Sequence, residues 1–335
     1  MSTHSSKEML TLNRDSLAFY KSERGFRAIS TWYHSLLEQF EFDFTSEYVD
    51  TRVGRTHMLA AGAESAEPLV LVQAIAGSAP LWYHQIPYLA DYYRVYALDT
   101  PGQPGRSAPN PPQLLEDGYS DWLLDVLDAL EIERAHFAGV SSGGWHVLRF
   151  AICAPDRARR LVLLSPTGLA NARFPIKIWL TSVVSKKKDS DTLEAEMSTR
   201  SFLPSSASEE YDRNLARAMA LATRHFRLGK SLDLYDEKKG RIRFWQSIRV
   251  LRTLFFAQPT RSLKQLRTPG LVILGEHEML YDAQRLARKV RQSLPMLEVE
   301  IIPGTGHSAM YDKPDIINAL ILAFLQGEAD AGSGT

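Results

Sequence analysis

The sequence has one cysteine among its 335 residues, so a disulfide within the chain is impossible. Disulfides are concentrated in oxidising compartments, and a near absence of cysteine is typical of proteins from reducing ones. Cys153 lies in the apolar run FAICAP, where a thiol is expected to be buried and inert. We therefore predict neither a disulfide scaffold nor a reactive thiol.

The sequence also lacks a bias of charge and any long apolar run. Lysine plus arginine and aspartate plus glutamate both number 39, so the chain as a whole has no attraction to nucleic acid or anionic membranes. No apolar stretch reaches the roughly 18 residues of a membrane-spanning helix, and the polar first residues are not typical of a secretory signal. These absences predict a cytoplasmic protein with no nucleic-acid partner and no membrane span, and they leave the oligomeric state open.

Short apolar runs alternate with helical stretches along most of the chain. Runs without polar alternation suit strands that are buried on both faces, as in a parallel sheet covered by helices. A hairpin signal at Val53-Gly54 precedes them. The predicted strands are 68–73, 94–99, 135–140, 160–165, 270–275 and 297–302, and the predicted helices are 119–130, 142–154, 282–293 and 314–325. This order predicts an α/β fold with an eight-stranded, mostly parallel sheet and helices on both faces.

One long interval, between Ser165 and Gly270, has helical periodicity but no strand-like run. We expect this interval to form a helical cap inserted into the sheet domain. The predicted division is an N-terminal helical extension over 1–45, a core over 46–166 and 268–326, a cap over 167–267 and a disordered tail over 327–335.

A pentapeptide, Gly139-Val140-Ser141-Ser142-Gly143, matches the G-x-S-x-G pattern of a nucleophile elbow. The pattern alone is weak, but here an apolar strand enters it and a helix leaves it. Such a turn places the serine hydroxyl at a helix N-terminus, where free N–H groups favour developing negative charge. We predict Ser141 as a catalytic nucleophile; the alternative is a Gly/Ser-rich turn without chemistry.

A serine needs a base to take its proton, and one of the nine histidines is well placed for this role. His307 follows a predicted strand, lies in a glycine-rich loop and precedes the last helix. A carboxylate between the serine and the histidine in chain order would orient the imidazole. The loop after the strand GLVILG offers three carboxylates, of which Glu278 is favoured and Glu276 and Asp282 stay open.

Two backbone N–H groups are needed to stabilise the oxyanion of the reaction. One belongs to Ser142, the residue after the nucleophile, and the other to the loop after strand 68–73, where Ile75 is the best candidate.

With these residues in place, the chain resembles the α/β-hydrolase superfamily over residues 46–326, and within it the bacterial carboxylesterases typified by carboxylesterase NP. The segments that carry this resemblance are FYKSERGFRAIS, VDTRVGRTHMLAAG, YSDWLLDVLDALEIERAHFAGVSSGGWHVL, LGEHEMLYD and PGTGHSAMYDKP. The resemblance implies the α/β-hydrolase fold, ester hydrolysis without metal or cofactor, and an acid at Glu278.

Two positions depart from the usual pattern of that family. Gln73-Ala74 stand where His-Gly is usual at the start of the oxyanion loop, and alanine would be strained there if the loop requires a glycine conformation. The segment from Asp99 to Ser107, DTPGQPGRS, is one residue longer than the common D-x-x-G-x-G-x-S, which leaves the shape of that loop open.

We therefore predict a serine hydrolase, namely a carboxylesterase that works through an acyl-enzyme and has a small-molecule ester as its substrate. The same residues would also serve a thioesterase, a lactonase or a carbon–carbon bond hydrolase, and the rival from another class is a hydrolase-like protein that binds a ligand without turnover. Between Arg173 and Arg267 there are 20 lysines and arginines against 10 acidic residues. This excess indicates either solvated helix faces or a preference for esters with a remote negative charge.

Overall fold

The computed structural model describes residues 14–172, 213–236, 239, 241–258 and 260–327. The predicted disordered tail, apart from residue 327, and the cap segment 173–212 lie outside the described residues. Within the described part, no helix is both long and apolar enough to cross a membrane.

An eight-stranded sheet forms the centre of the molecule. Its strands are β1 Thr45–Thr51, β2 Gly54–Ala61, β3 Pro68–Val72, β4 Arg94–Leu98, β5 Ala135–Val140, β6 Ala158–Leu164, β9 Gly270–Gly275 and β10 Leu297–Ile302. They lie in the order β1-β2-β4-β3-β5-β6-β9-β10, and a separate two-stranded ladder pairs β7 Tyr235–Asp236 with β8 Arg241–Ile242. Only the pairings of β2 with β1 and β4 are antiparallel within the large sheet. The prediction of a mostly parallel, eight-stranded sheet is therefore confirmed.

Helices cover both faces of this sheet. They are α1 Arg14–Leu17, α2 Glu23–Leu37, α3 Ile86–Leu89, α4 Gly118–Ala129, α5 Ser142–Cys153, α6 Arg213–His225, α7 Leu228–Ser231, α8 Phe244–Phe255, α9 Thr260–Leu263, α10 Ala283–Ser293, α11 Ala309–Asp312 and α12 Pro314–Gln326. Helices α4, α5 and α10 pack against one face, and α2, α3 and α12 against the other. Every residue of β5 and β9 is consequently buried, which explains their unbroken apolar runs.

The N-terminal helices pack against the segment between β6 and β9. Phe19, Tyr20 and Phe26 form a small apolar cluster with Phe226. Gly25 of α2 lies so close to α6 that a Cβ there would meet the His225 side chain at 2.8 Å. The described part of the cap interval is therefore held by residues near the start of the chain, a contact that sequence periodicity did not predict.

Two expectations from the sequence are wrong. Cys153 is exposed at the end of α5, where its thiol donates to Asp117 Oδ1 at 3.5 Å, because it lies on the outer side of the last helical turn, whose Phe150 and Ala151 are buried. The interval between Ser165 and Gly270 also contains strands, since β7 and β8 pair there. Each of these strands has only two residues, too few to produce a visible apolar run.

Candidate active site

The segments that carry the predicted site residues leave one edge of the sheet. Strands β3, β5, β6, β9 and β10 are parallel neighbours, so their carboxyl ends meet at the same edge, where ligands of open α/β sheets bind. Ile75 follows β3, Ser141 follows β5, Glu278 follows β9 and His307 follows β10. The topology thus brings to one edge four residues that are far apart in the sequence.

Ser141 occupies a strained turn between β5 and α5, with φ 53° and ψ −116°. The chain there passes so close to its neighbours that side chains are excluded on both sides of the serine. A Cβ on Gly139 would lie 2.5 Å from the Gly143 backbone, and one on Gly143 would lie 2.2 Å from the Val72 carbonyl oxygen. The glycines of the pentapeptide are therefore required by backbone packing, as a nucleophile elbow demands.

His307 and Glu278 form a hydrogen-bonded pair. His307 Nδ1 lies 2.8 Å from Glu278 Oε1, and the Glu278 side chain is completely buried. The same carboxylate oxygen accepts the Leu280 N–H at 3.1 Å. Because the carboxylate is the acceptor, Nδ1 carries the proton, and in the neutral imidazole Nε2 is the nitrogen with acceptor character.

The hydrogen-bonded pair lowers the pKa of Glu278 and raises the pKa of His307, so a negative carboxylate and a positive imidazolium are both favoured. Burial alone would raise the pKa of Glu278, but the His307 imidazole and its hydrogen bond, with the Leu280 N–H, hold it below its usual value. Burial would lower the pKa of His307, but the Glu278 carboxylate outweighs this effect and raises it. The carboxylate is therefore ionised and stabilises the imidazolium that forms when the histidine takes a proton.

The two competing carboxylates of the same loop have other roles. Glu276 is exposed, and its Oε2 accepts the Gly304 N–H at 2.9 Å. Asp282 is the N-cap of α10, where its side chain accepts the Arg285 N–H at 2.8 Å. Neither carboxylate pairs with His307 in the structure, and both accept backbone N–H groups instead.

The two predicted oxyanion donors lie side by side. The Ile75 N–H donates to the Ser142 hydroxyl at 2.7 Å, and Ser142 is 4% exposed. The Ser142 hydroxyl therefore occupies the N–H of one of the two predicted donors.

Other hydrogen bonds determine the shape of the loop after β3, to which Ile75 belongs. Gln73 is buried; its Oε1 accepts the Ala74 N–H at 3.0 Å and its Nε2 donates to the Tyr311 hydroxyl at 3.2 Å. The residue with a left-handed backbone is Ala76, with φ 65°, and not Ala74. The expected strain therefore lies two residues further along the loop than the sequence pattern suggested.

Gln103 supports the same loop and was not singled out as a functional residue from the sequence. Its Oε1 accepts the Ala76 N–H at 2.8 Å, and its Nε2 donates to the Ser231 hydroxyl at 2.7 Å. It lies in the segment DTPGQPGRS, which is one residue longer than the common pattern. This extra residue was the sequence signal that could have pointed to a role for Gln103. Gln103 thereby links the loop after β3 to α7 in the cap interval.

A groove of about 830 Å³ lies beside this loop. Apolar residues form much of its lining, and its charged lining residues are Lys230, Lys239, Arg243, Arg249, Glu116 and Asp233. Leu114, Tyr119 and Leu232 line both this groove and the narrow cavity that reaches Ile75 and Ser142. The groove therefore adjoins the cavity of the candidate oxyanion donors, and its wall has more cations than anions.

Comparison with known proteins identifies the family of the chain. The alpha/beta hydrolase fold family matches residues 67–314. Carboxylesterase YbfK of Bacillus subtilis (strain 168) is 28% identical over 315 residues, which cover 94% of this chain and 98% of that protein. The uncharacterized carboxylesterase nap of the same organism is 29% identical over 307 residues, covering 92% of this chain and 95% of that protein.

Solved structures lead to the same family. The crystal structure of carboxylesterase CesB (YbfK) from Bacillus subtilis superposes with a TM-score of 0.75 at 25% identity, covering 91% of this chain and 99% of that chain. Naproxen esterase (carboxylesterase NP) from Bacillus subtilis gives a TM-score of 0.73 at 25% identity, covering 89% and 97%. The family match spans well over half of the chain, so this protein belongs to the alpha/beta hydrolase fold family, and the resemblance inferred from its motifs is confirmed.

Proposed function

We propose that the chain is a carboxylic-ester hydrolase in which Ser141 is the nucleophile, His307 its base and Glu278 the acid that orients the base. The observation that carries this proposal is the 2.8 Å hydrogen bond between His307 and the buried Glu278 at the sheet edge where the strained Ser141 lies. The carboxylesterases YbfK and nap, similar over nearly the whole chain, support an ester as the substrate.

The chemistry follows from the protonation of the pair. The Ser141 oxygen attacks the ester carbonyl, and its proton passes to Nε2 of His307 while Glu278 stabilises the imidazolium. His307 then gives this proton to the departing alcohol, which leaves an acyl group on Ser141. Attack of water on this acyl-enzyme, again with His307 as base, releases the acid and restores the serine. No metal or cofactor takes part in the proposed sequence.

The oxyanion of both steps would lie between the backbone N–H groups of Ile75 and Ser142. The Ile75 N–H already donates to the Ser142 hydroxyl, so this hydroxyl must turn away before the oxyanion can accept the same hydrogen. Rotation about one side-chain bond is fast compared with turnover. The side chain of Ser142 therefore competes with the transition state for a donor, although its own backbone N–H assists.

The groove beside the loop after β3 supports a substrate preference. An ester whose far end carries a carboxylate would lie along the apolar lining, with its charge near the basic side chains of the groove. Arg249 is the candidate partner for this charge. The ion pair of Arg243 with Asp233, at 3.1 Å, already uses one cation and one anion of the wall. Arg249 is exposed, so its attraction would be modest and screened by salt.

Ser141→Ala should lower the turnover of nitrophenyl esters by about four orders of magnitude or more, because it removes the nucleophile. The fold should persist, as measured by circular dichroism, and fluorophosphonate labelling of the peptide that contains residue 141 should be lost. Retention of a tenth of the wild-type turnover would exclude Ser141 as the nucleophile. Absence of labelling in the wild-type protein would favour ligand binding without turnover.

Glu278→Gln should lower kcat by about three orders of magnitude, because the amide cannot stabilise the imidazolium. The carboxylate raises the pKa of His307, and only the neutral imidazole acts as base, so activity is lost as the pH falls through that pKa. Removal of the carboxylate should therefore move the acidic limb of the kcat/KM profile to lower pH. Asp282→Asn is the control, and a larger loss in this control would assign the acid to Asp282.

Ser142→Ala should raise kcat about two- to tenfold, because it frees the Ile75 N–H from one neutral hydrogen bond and keeps the backbone N–H of residue 142. The binding of a boronic acid that mimics the tetrahedral intermediate should tighten by a similar factor. Ser142→Thr, which keeps a hydroxyl, is the control. A fall of kcat in the alanine variant would show instead that the hydroxyl itself assists the oxyanion.

Arg249→Gln should raise the KM for an ester that ends in a carboxylate by about two- to fivefold at low salt, which is the range expected for an exposed charge. The KM for the methyl ester of the same compound should stay unchanged, and high salt should abolish the difference. Arg252→Gln, three residues further along α8, is the matched control. An equal KM for both substrates in the wild-type protein would show that the basic residues of the groove face solvent and do not bind the substrate.

A further inference from the structure

A second serine, on the edge strand β1, is hydrogen-bonded to an imidazole. The Ser46 Oγ lies 2.8 Å from His57 Nε2, and His57 Nδ1 lies 2.9 Å from Asp99 Oδ2. The side chains of His57 and Asp99 are completely buried, whereas Ser46 is exposed. The order of groups, hydroxyl to imidazole to buried carboxylate, is that of a serine relay. None of these residues belongs to the site built on Ser141.

The carboxylate of this group is held in a fixed orientation. Asp99 Oδ1 accepts the Ala79 N–H at 2.7 Å, and Oδ2 accepts the Tyr33 hydroxyl at 2.9 Å and the Arg106 N–H at 2.8 Å. Burial would raise the pKa of Asp99, but His57 and these N–H groups hold it below its usual value. Asp99 is therefore an ionised acceptor.

The protonation of His57 follows from this acceptor. His57 Nδ1 carries the proton that Asp99 accepts, and the Tyr33 oxygen lies 3.3 Å from the same nitrogen. In the neutral imidazole, Nε2 is then the acceptor for the Ser46 hydroxyl. This arrangement is the one in which a histidine takes the proton of a serine that attacks an electrophile.

A cation lies next to the hydroxyl. Arg106 Nη1 donates to the Ser46 Oγ at 3.2 Å, and the guanidinium of Arg106 stacks over the Tyr33 ring at 4.9 Å. A guanidinium so close to the reacting oxygen can stabilise the negative charge that develops on a carbonyl oxygen during attack. Ser46 therefore has a base, a fixed carboxylate behind the base, and a neighbouring positive charge.

We propose that Ser46 is a second nucleophilic serine, which is acylated by small activated esters independently of Ser141. The Ser46 oxygen forms a bond to the acyl carbon, and the bond between that carbon and the alcohol oxygen breaks. The hydroxyl proton passes to His57 Nε2 and from there to the departing alkoxide, so that an alcohol and an acyl-Ser46 ester are formed.

The test uses the full-length Ser141→Ala protein, so that failure of the proposed esterase site does not affect it. This protein is treated with nitrophenyl acetate, and acetylation is followed by peptide mass spectrometry at Ser46 and at Ser35. Ser35 is the matched control, because its hydroxyl donates to the Thr31 carbonyl at 2.9 Å. A positioned base contributes typically about 10²–10⁴-fold, so Ser46 should be acetylated at least about tenfold faster than Ser35.

Two further variants separate activation from simple exposure. Ser46→Ala in the same background should remove this adduct, and His57→Gln should slow acetylation of Ser46 to the rate of Ser35. If His57→Gln does not fold, the ratio of Ser46 to Ser35 in the parent protein decides. Acetylation of Ser46 no faster than that of Ser35 would overturn the proposal, whatever the activity of Ser141.

Discussion

The close approach of α5 to β3 is the constraint on which the candidate site depends. The backbone of Gly143 lies against the Val72 carbonyl so tightly that a single methyl group would overlap it. This contact forces the chain to turn abruptly after β5 and leaves Ser141 with a positive φ. Such a conformation costs about 1–3 kcal/mol for a residue with a side chain. Hydrogen bonds of the Ser141 backbone to Leu164 and Thr167 help to hold it.

Burial gives the pairing of His307 with Glu278 its chemical effect. A carboxylate in water would be screened, but the Glu278 side chain is completely buried, and an opposite charge acts more strongly in such surroundings. The same principle operates at His57 and Asp99, whose side chains are both completely buried. The two pairs differ in their neighbours, since Glu278 also accepts the Leu280 N–H, whereas Asp99 accepts the Arg106 N–H.

The loop after β3 is connected to distant parts of the chain. Gln103 joins it to Ser231 in the cap interval, and Gln73 joins it to Tyr311 near the C-terminal helices. The cap interval is in turn packed against the N-terminal helices through Phe226. Because oxyanion donors act only in the correct position, residues far from the reacting atoms can contribute to turnover through this loop.

Features that depend on local patterns of residues were predictable from the chain alone. Unbroken apolar runs gave the core strands to within about two residues, and the strand-serine-helix context singled out Ser141. His307 was singled out because it follows a strand and lies in a glycine-rich loop before the last helix. These signals lie within a few neighbouring residues.

The directions of the side chains beyond the strand ends depend on the folded chain. Glu276, Glu278 and Asp282 share one loop, and only the path of the backbone turns Glu278 towards His307. Glu276 accepts the N–H of Gly304 from the loop after β10, and Asp282 accepts an N–H of its own helix. The exposure of Cys153, the left-handed conformation of Ala76 and the contact of Ile75 with Ser142 likewise depend on packing between distant segments. No local pattern encodes such contacts, because their partners are brought together only when the sheet forms.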